Sequence, residues 1–262
     1  MLQAVGPSKS PAVESTATET GIGDTADLAV EVSGVTKDYG SHAVLKGIRL
    51  QVKAGEKVTI VGPNGAGKTT LLKILATISR PLAGTARVAG FDITREAVEV
   101  RRRIGVISHQ PYLYDDLTVE ENVKFYGKMY DVPDLEERVR LLAGKLGLLH
   151  RLHDQVGTLS RGLQQRVSIA RAAVHDPPVM LLDEPDTGLD QQAAGMLRAV
   201  IEGVDGGRRT VIMTTHNLEL GLSVCDRIAV LVNGRIVHTE ERSSVVLEGF
   251  RELYYRLTEV QR

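Results

Sequence analysis

The chain has 262 residues, 42% of them apolar, which is enough to bury a sizeable core in one domain with room for an inserted subdomain. Its 32 lysines and arginines balance 33 acidic residues, so the charge disfavours a general binder of nucleic acid or anionic lipid. The single cysteine, Cys225, excludes an intramolecular disulfide and fits a reducing compartment. The apolar runs are too short to cross a bilayer and the N-terminus lacks the apolar segment of a signal peptide, so we expect a soluble polypeptide.

The N-terminal part of the chain predicts a tail followed by a small sheet. Residues 1–26 are rich in Ser, Thr, Ala, Gly and Pro and have almost no large apolar side chains, which predicts a disordered tail. Apolar residues alternate over 28–35 and 48–52, on either side of the turn-prone residues 39–41. This pattern predicts an antiparallel sheet. Further short apolar runs predict strands at residues 58–61, 85–88 and 104–108.

The second half of the chain alternates between strands and helices after a helical stretch. Residues 111–175 have helical periodicity, which predicts an inserted helical subdomain; Thr118 and Glu121 have the spacing of a capping box, and a further helix should follow Ser160. Beyond it, an alternating pattern predicts a parallel sheet covered on both faces. The predicted elements are strands at 179–182, 211–213 and 228–232, helices around 190–202 and 218–225, a hairpin turn at 233–234 leading to a strand at 235–237, and an amphipathic C-terminal helix within 242–262.

A glycine-rich segment joins the predicted strand at 58–61 to a helix in which Leu71, Leu72, Leu75 and Ile78 recur at helical spacing. Glycines lack a Cβ, so the backbone can curl until several N–H groups face one anion, and that anion should be a triphosphate. Lys68 can bridge the terminal phosphates, and the Thr69 hydroxyl can ligate Mg²⁺. The probability that a glycine-rich turn matches this pattern by accident, between a strand and a helix, is under about 2 per cent. The predicted nucleotide-binding residues are Gly62, Asn64, Gly65, Ala66, Gly67, Lys68, Thr69 and Thr70.

Two carboxylates, Asp183 and Glu184, end the predicted strand at 179–182. Ligands gather at the carboxyl ends of strands in open parallel sheets. Asp183 can hold Mg²⁺ through water, and Glu184 can orient the attacking water or accept its proton. An ordinary acidic turn would explain the pair by itself about as well, but the upstream phosphate loop favours the catalytic interpretation.

Four further motifs occur in a fixed order. They are Gln110 after a strand, residues 159–166 (LSRGLQQR) at a helix start, Gly188-Leu189-Asp190 after the acidic pair, and Thr214-Thr215-His216 at a strand end. Together with the phosphate loop they resemble the ATPase subunits of ABC transporters, over residues 28–240. The resemblance implies an α/β fold with a P-loop NTPase core and parallel sheet, an N-terminal antiparallel β-subdomain and an inserted helical subdomain. It places an ATPase domain at residues 27–241, with its helical subdomain at about 111–175. This domain lies between the predicted disordered tail at residues 1–26 and the predicted C-terminal amphipathic helix at 242–262.

The resemblance also assigns roles that the residues alone do not. It implies that Tyr39 stacks on adenine, that Gln110 ligates Mg²⁺ and senses a membrane partner, that His216 contacts the γ-phosphate, and that Asp190 helps to couple two sites. Taken singly, Tyr39 is more often a half-buried aromatic at a strand end, His216 a helix cap and Gln110 a solvated loop residue. Only the order of the motifs favours the functional roles.

Ser160 and Gly162 stand at the start of a predicted helix, and a helix start can bind an anion. Because the phosphate loop is already one anion site of the chain, a second site suggests an anion held by another molecule. In the resembling family two copies pack head to tail, so these residues would contact the ATP held by the partner copy. The segment departs from the commonest family signature at Arg161, where glycine is usual, and at Leu163, where glutamine is usual. We therefore expect phosphate binding in trans and carry over no role for the side chain at position 163.

The resemblance implies an Mg²⁺-dependent ATPase that works as a homodimer or paired subunit, drives export through separate transmembrane permease subunits, and lies on the cytoplasmic face of the membrane. Residues 183–190 and 252–257 are similar to exporter-type members, including the haem-exporter ATPases of cytochrome c maturation.

Two alternative functions stay open. One is a soluble ABC ATPase acting on ribosomes or DNA, which usually has two cassettes or a coiled-coil insertion, and the other is a regulator without turnover, which Glu184 disfavours. We expect no nucleic-acid partner, and no zinc site because the seven histidines lack metal-ligand spacing.

Overall fold

The computed structural model describes residues 28–108, 110–185, 195 and 209–259. The predicted tail at 1–26, most of the predicted helix around 190–202, and Asp190 lie outside the described residues. The strands are β1 (Leu28–Tyr39), β2 (His42–Lys53), β3 (Lys57–Val61), β4 (Ala83–Val88), β5 (Phe91–Asp92), β6 (Ile104–Ile107), β7 (Val179–Asp183), β8 (Thr210–Thr215), β9 (Arg227–Val232) and β10 (Arg235–Glu241). The helices are α1 (Lys68–Leu75), α2 (Ala97–Arg102), α3 (Val119–Met129), α4 (Leu135–Lys145), α5 (Arg161–Ala173), α6 (Leu218–Val224) and α7 (Leu247–Glu259).

The strands form two sheets, as the alternating and continuous apolar patterns predict. A four-stranded antiparallel sheet has the order β2-β1-β4-β5, and a six-stranded sheet has the order β10-β9-β3-β8-β7-β6. Within the larger sheet β9, β3, β8, β7 and β6 are parallel, and β10 returns antiparallel to β9 after the predicted turn at Asn233-Gly234. The carboxyl ends of β3, β8 and β7 therefore lie side by side at one edge of the sheet.

The larger sheet is buried on both faces. On one face, Ile60 and Leu181 belong to the same apolar cluster as Leu71 and Leu75 of α1 and the inner side of the antiparallel sheet. On the other face, part of the sheet packs against α3, α4 and α5, and part against α6 and α7, where Phe250 is buried. Each fully buried aliphatic side chain contributes about 1.5–3 kcal/mol to this packing. The sheet thus holds the segment after β3 on a rigid support.

The helix starts follow the capping signals in the sequence. The Thr118 Oγ1 accepts a hydrogen bond from the Glu121 N–H at 3.2 Å, and a Glu121 carboxylate oxygen accepts one from the Thr118 N–H at 2.9 Å. This reciprocal pair confirms the predicted capping box of α3. The Ser160 Oγ accepts a hydrogen bond from the Leu163 N–H at 3.4 Å and caps α5.

Helix α1 is shorter than its apolar spacing predicts. It ends at Leu75, and Ile78, which the spacing placed on the buried face, is 55% exposed. The cause lies in the backbone: Thr77 adopts the left-handed region at φ 61°, and the Ile78 N–H donates back to the Lys73 carbonyl at 2.9 Å. The short elements α2 and β5 carry too little periodicity to be predicted. Over the described ranges, no helix combines the length and apolarity needed to cross a membrane.

Candidate functional site

The glycine-rich loop leaves β3 and enters α1 at Lys68, with Gly67 preceding the helix in the left-handed region at φ 107°. A Cβ on Gly67 would lie 2.7 Å from the Leu45 side chain, and a Cβ on Gly62 would lie 2.1 Å from the Leu231 carbonyl oxygen. Both positions therefore require glycine. Asn64 and Gly65 at the bend of the loop are exposed, which leaves this part of the loop open to a ligand.

The turn between β9 and β10 supports the loop from behind. The Gly234 N–H donates to the Ala66 carbonyl at 3.0 Å, and the Gly234 carbonyl accepts from the Lys46 N–H on β2 at 2.8 Å. A Cβ on Gly234 would lie 2.3 Å from the Val44 carbonyl oxygen, so this turn also requires glycine. The sequence predicts the hairpin turn but gives no sign that it holds the phosphate loop against β2.

Lys68 is the buried cation of the site. Its side chain is 5% exposed, and its Nζ donates to the carbonyl oxygens of Gly62 at 2.8 Å and Pro63 at 3.2 Å. The Glu184 Oε1 lies 3.7 Å from the same nitrogen. Burial lowers the pKa of the Lys68 ammonium, and the carboxylates of Glu184 and Asp183 only partly offset that effect. The protein thus holds a desolvated positive charge beside the mouth of the loop.

Asp183, the last residue of β7, is hydrogen-bonded to helix α1 and to strand β8. Its Oδ1 accepts hydrogen bonds from the Thr69 Oγ1 at 3.0 Å and from the Thr214 Oγ1 at 2.7 Å. A carboxylate and a hydroxyl oxygen at hydrogen-bond distance form the hard-oxygen donor set that suits Mg²⁺, so the residues fit this ion. Thr214 is not among the predicted site residues, although it belongs to the Thr214-Thr215-His216 motif. Its signal is a hydroxyl residue that follows the apolar Val211, Ile212 and Met213 near the end of β8, where the structure buries it.

Glu184 lies between Lys68 and His216. Its backbone is in the left-handed region at φ 48°, and its N–H donates to the Thr214 carbonyl at 2.9 Å. The Glu184 Oε2 lies 3.5 Å from the His216 Nδ1, and the His216 side chain is 60% exposed. The structure therefore brings together Lys68, Thr69, Asp183, Glu184 and His216, which come from three distant stretches of the sequence.

Tyr39 and Gln110 lie at the periphery of this cluster. Tyr39 ends β1 and is 50% exposed, with the Lys37 Nζ 5.3 Å from the centre of its ring. Gln110 is exposed, and its carbonyl oxygen accepts from the Ser108 Oγ at 2.8 Å. Among the described residues, no hydrogen bond joins the Gln110 side chain to Thr69 or Asp183.

Ser160 and Gly162 begin α5, whose core packing is with the helical layer and β6. Ser160 and Arg161 are exposed. Over the described part of the chain, no hydrogen bond joins Ser160 or Gly162 to the phosphate loop of their own chain. Asp190 lies outside the described residues.

The motifs and their geometry agree with the comparisons to known proteins. The family model described as ABC transporter matches residues 45–187, which span the phosphate loop, Ser160 and the acidic pair. The ABC transporter ATP-binding protein NatA of Bacillus subtilis is 35% identical over 201 residues, covering 74% of this chain and 82% of NatA. The Nod factor export ATP-binding protein I of Ralstonia nicotianae is 36% identical over 217 residues, covering 82% of this chain and 67% of that protein.

Solved structures with a similar fold belong to the same family. A dimeric structure of the ATP-binding cassette MJ0796, in a post-hydrolysis state bound to ADP and Pi, superposes with a TM-score of 0.73 at 29% identity and covers 81% of this chain and 98% of that chain. The α/β architecture with its antiparallel sheet and helical layer is therefore the fold of these ATPases, as predicted. The chain belongs to the ABC transporter family and is an ATP-binding, ATP-hydrolysing subunit of that family.

Proposed function

We propose that this chain binds MgATP at residues 62–70, hydrolyses it with Glu184, and works as one of a pair of such subunits to drive export through separate membrane subunits. The observation that carries the proposal is the meeting of Lys68, Asp183, Glu184 and His216 at the carboxyl ends of neighbouring parallel strands. Cation, metal-ligating oxygens and a carboxylate base are the parts that phosphoryl transfer to water needs.

The phosphates bind first through the backbone. The N–H groups of the loop and of the start of α1 face the β- and γ-phosphates, and Lys68 turns its ammonium from the Gly62 and Pro63 carbonyls toward them. Thr69 would hold Mg²⁺ directly and Asp183 would hold it through water. Mg²⁺ bound there supplies positive charge that neutralises the phosphate oxygens. Thr214 keeps the Asp183 carboxylate oriented through its hydroxyl hydrogen bond.

The hydrolytic step needs a base next to the γ-phosphate. Glu184 orients the attacking water and accepts its proton, and His216 contacts the γ-phosphate. Gln110, in the loop after β6, would be a further ligand of Mg²⁺. The exposure of His216 and Gln110 supports these roles, because the fold of the chain does not enclose either side chain. The Tyr39 ring at the end of β1 stacks on the adenine.

A second copy completes each site. Ser160 and Gly162 of one copy contact the γ-phosphate held by the other, and Asp190 couples the two sites. The exposed, capped start of α5 supports this arrangement, as does the dimeric form of the related cassette MJ0796. A C₂ dimer of this kind uses the same two surfaces twice.

The membrane partner is inferred from the family. The relatives named above include an ABC transporter subunit and a Nod factor export protein, which support export through transmembrane permease subunits and a position on the cytoplasmic face of the membrane. The narrower assignment to haem exporters stays a prediction, and these relatives give it no support. We also retain residues 27–241 as the ATPase domain with a helical subdomain at about 111–175, and residues 242–262 as a C-terminal helical extension.

Phosphate release by the purified chain tests the function. We expect MgATP-dependent release that EDTA abolishes, and a loss of roughly 10²-fold or more in Asp183→Asn, the scale expected when a positioned catalytic charge is lost. The exposed Asp116→Asn is the matched control and should retain full activity. Equal phosphate release by Asp183→Asn and the wild type would show that the residues at the carboxyl ends of β7 and β8 do not take part in hydrolysis.

A further inference from the structure

Lys37 is a partly buried cation on β1, two residues before the tyrosine proposed to stack on adenine. Its Nζ lies over the ring of Tyr39, 5.3 Å from the ring centre. An ammonium in this position is attracted to the negative face of an aromatic ring. The mechanism proposed above gives this lysine no role.

The loop that follows α1 holds the ammonium of Lys37 in place. The Lys37 Nζ donates to the carbonyl oxygen of Arg80 at 2.8 Å. Within the described ranges, no ion pair joins this nitrogen to a carboxylate. The positive charge is therefore positioned by a backbone carbonyl and by the Tyr39 ring, and no acidic side chain neutralises it.

The same loop fixes the backbone next to Lys37. The Leu82 N–H donates to the Thr36 carbonyl at 2.8 Å. A Cβ on Gly84 would lie 2.4 Å from the Gly34 carbonyl oxygen, so the backbones of β1 and β4 are in direct contact there. Lys37 thus extends from a backbone that is held on both sides of the contact with Arg80.

The Tyr39 ring is held less firmly than Lys37. It is half-exposed and stands at the end of β1, directly before the exposed turn residues Gly40 and Ser41. A flat ring has two faces that can stack, and the ammonium of Lys37 lies over one of them. The other face is then the one that can receive a flat ligand such as a base.

We propose that Lys37 is a positioning residue for the base of the nucleotide: it holds the Tyr39 ring from one face, and the adenine stacks on the other. A ring that is already oriented loses less conformational freedom when the base binds. Lys37 therefore sets the part of the ATP affinity that comes from the base, whereas the phosphate loop and Lys68 set the part that comes from the phosphates. This inference rests on the proposed stacking of Tyr39 on adenine.

A direct contact between Lys37 and a phosphate would be a different use of the same charge. Such a contact would strengthen the binding of any polyphosphate, with or without a base. A contact that acts through the Tyr39 ring strengthens only the binding of a ligand that has a base. Inorganic triphosphate, which has the phosphates of ATP and no base, therefore separates the two.

Titration calorimetry with MgATP, and with inorganic triphosphate and Mg²⁺, tests the proposal. We expect Lys37→Met to raise the Kd for MgATP about two- to fivefold, the scale of one exposed cation–π contact, and to leave the Kd for triphosphate unchanged. Lys37→Arg keeps a cation for the ring and should restore the affinity for MgATP. Lys53→Met is the matched control, because Lys53 is exposed at the opposite end of the β1–β2 pair, and it should bind both ligands like the wild type.

A double-mutant cycle shows whether Lys37 acts through the ring. In Tyr39→Ala, adding Lys37→Met should raise the Kd for MgATP no further, because the ring on which Lys37 acts is gone. In Tyr39→Phe, which keeps the ring, Lys37→Met should have its full effect. The proposal is overturned by an equal effect of Lys37→Met with and without the ring, by a matching loss of affinity for triphosphate, or by wild-type affinity of Lys37→Met for MgATP.

The same titrations separate this proposal from the proposed function. Melting temperatures show that each variant is folded before its Kd is compared. A folded wild type that does not bind MgATP would count against the proposed function as a whole. Wild-type affinity of Tyr39→Ala would show that the ring does not stack on the base, and would overturn that stacking together with the role of Lys37. MgATP binding that Tyr39→Ala weakens and Lys37→Met does not would count only against Lys37.

Discussion

The Lys68 Nζ lies 3.7 Å from the Glu184 Oε1, so the residue proposed to bind the phosphates faces the residue proposed to activate water. The ammonium donates to the Gly62 and Pro63 carbonyls and lies beside this carboxylate. A triphosphate competes for the same ammonium with more negative charge than Glu184 carries. In the proposed mechanism, a triphosphate that takes over the ammonium would release the Glu184 carboxylate from this ion pair, which leaves that carboxylate available to orient a water.

Replacing Lys68 should abolish useful ATP affinity. Lys68→Ala removes a buried cation that is proposed to make charged hydrogen bonds to the phosphates, each worth about 1.5–3 kcal/mol, so we expect the Kd for ATP to rise by at least tenfold. Isothermal titration gives the measurement. Lys46→Ala, an exposed lysine on β2, should bind like the wild type. A folded Lys68→Ala protein with unchanged affinity would rule out this loop as the nucleotide site.

The lowered pKa of Lys68 predicts a pH dependence of stability. Because the folded chain holds this proton less tightly than the unfolded chain, the unfolded state binds more protons at pH values between the lowered pKa and the ordinary lysine value of about 10.4. The free energy of unfolding of the nucleotide-free wild type should therefore rise with pH in that window, relative to Lys68→Met. Denaturant titrations of both proteins from pH 7 to 10 give the difference between their free energies of unfolding. The contributions of the other titrating groups cancel in that difference. A difference that stays constant would show that burial does not disfavour the ammonium.

Glu184→Gln should separate binding from hydrolysis. The amide keeps the size of the side chain but cannot accept the proton of water, so we expect normal ATP affinity and turnover slowed by roughly 10²-fold or more. Because ATP is then not consumed, the paired state should accumulate and be visible by light scattering. The exposed Glu137→Gln on α4 is the control. Wild-type turnover in Glu184→Gln would exclude Glu184 as the base.

The local signals in the sequence predict most of the fold because each depends on neighbouring residues. The Thr118 capping box, the Ser160 cap, the hairpin turn at Asn233-Gly234 and the buried strands are all read from periodicity or from side chains three residues apart. The same local reading placed Ile78 on the buried face of α1, and this was wrong because Thr77 ends the helix with a left-handed residue that periodicity does not show.

Contacts between distant residues are less predictable. The sequence places Asp183 at the end of a strand and Thr69 in the helix that follows the phosphate loop, but only the structure shows that their side chains meet and that Thr214 joins them. The support of Ala66 by Gly234 and the contact of Lys37 with the Arg80 carbonyl depend on packing between elements far apart in the chain. Gln110 and Tyr39 were assigned by resemblance, and their roles stay predictions.

The proposed pairing of two copies makes a prediction about mixtures. Each composite site draws the phosphate loop from one copy and Ser160 from the other, so Lys68→Ala and Ser160→Arg homodimers should each contain only damaged sites. In a mixed dimer, one site has both wild-type halves and the other carries both defects. We expect the mixture to recover ATP-dependent pairing that neither variant shows alone, measured by light scattering with and without MgATP.

Ser160→Arg also removes the cap of α5, because the Ser160 Oγ accepts from the Leu163 N–H, and loss of such a cap costs about 1 kcal/mol. Thr118→Arg removes a cap at the start of α3 and controls for that loss: it should lower the melting temperature without preventing ATP-dependent pairing. Pairing rather than turnover is the decisive measurement, since one intact site need not support a full cycle. If Ser160→Arg alone pairs with MgATP as the wild type does, the start of α5 does not meet the nucleotide of the partner copy, and the two-copy mechanism is wrong.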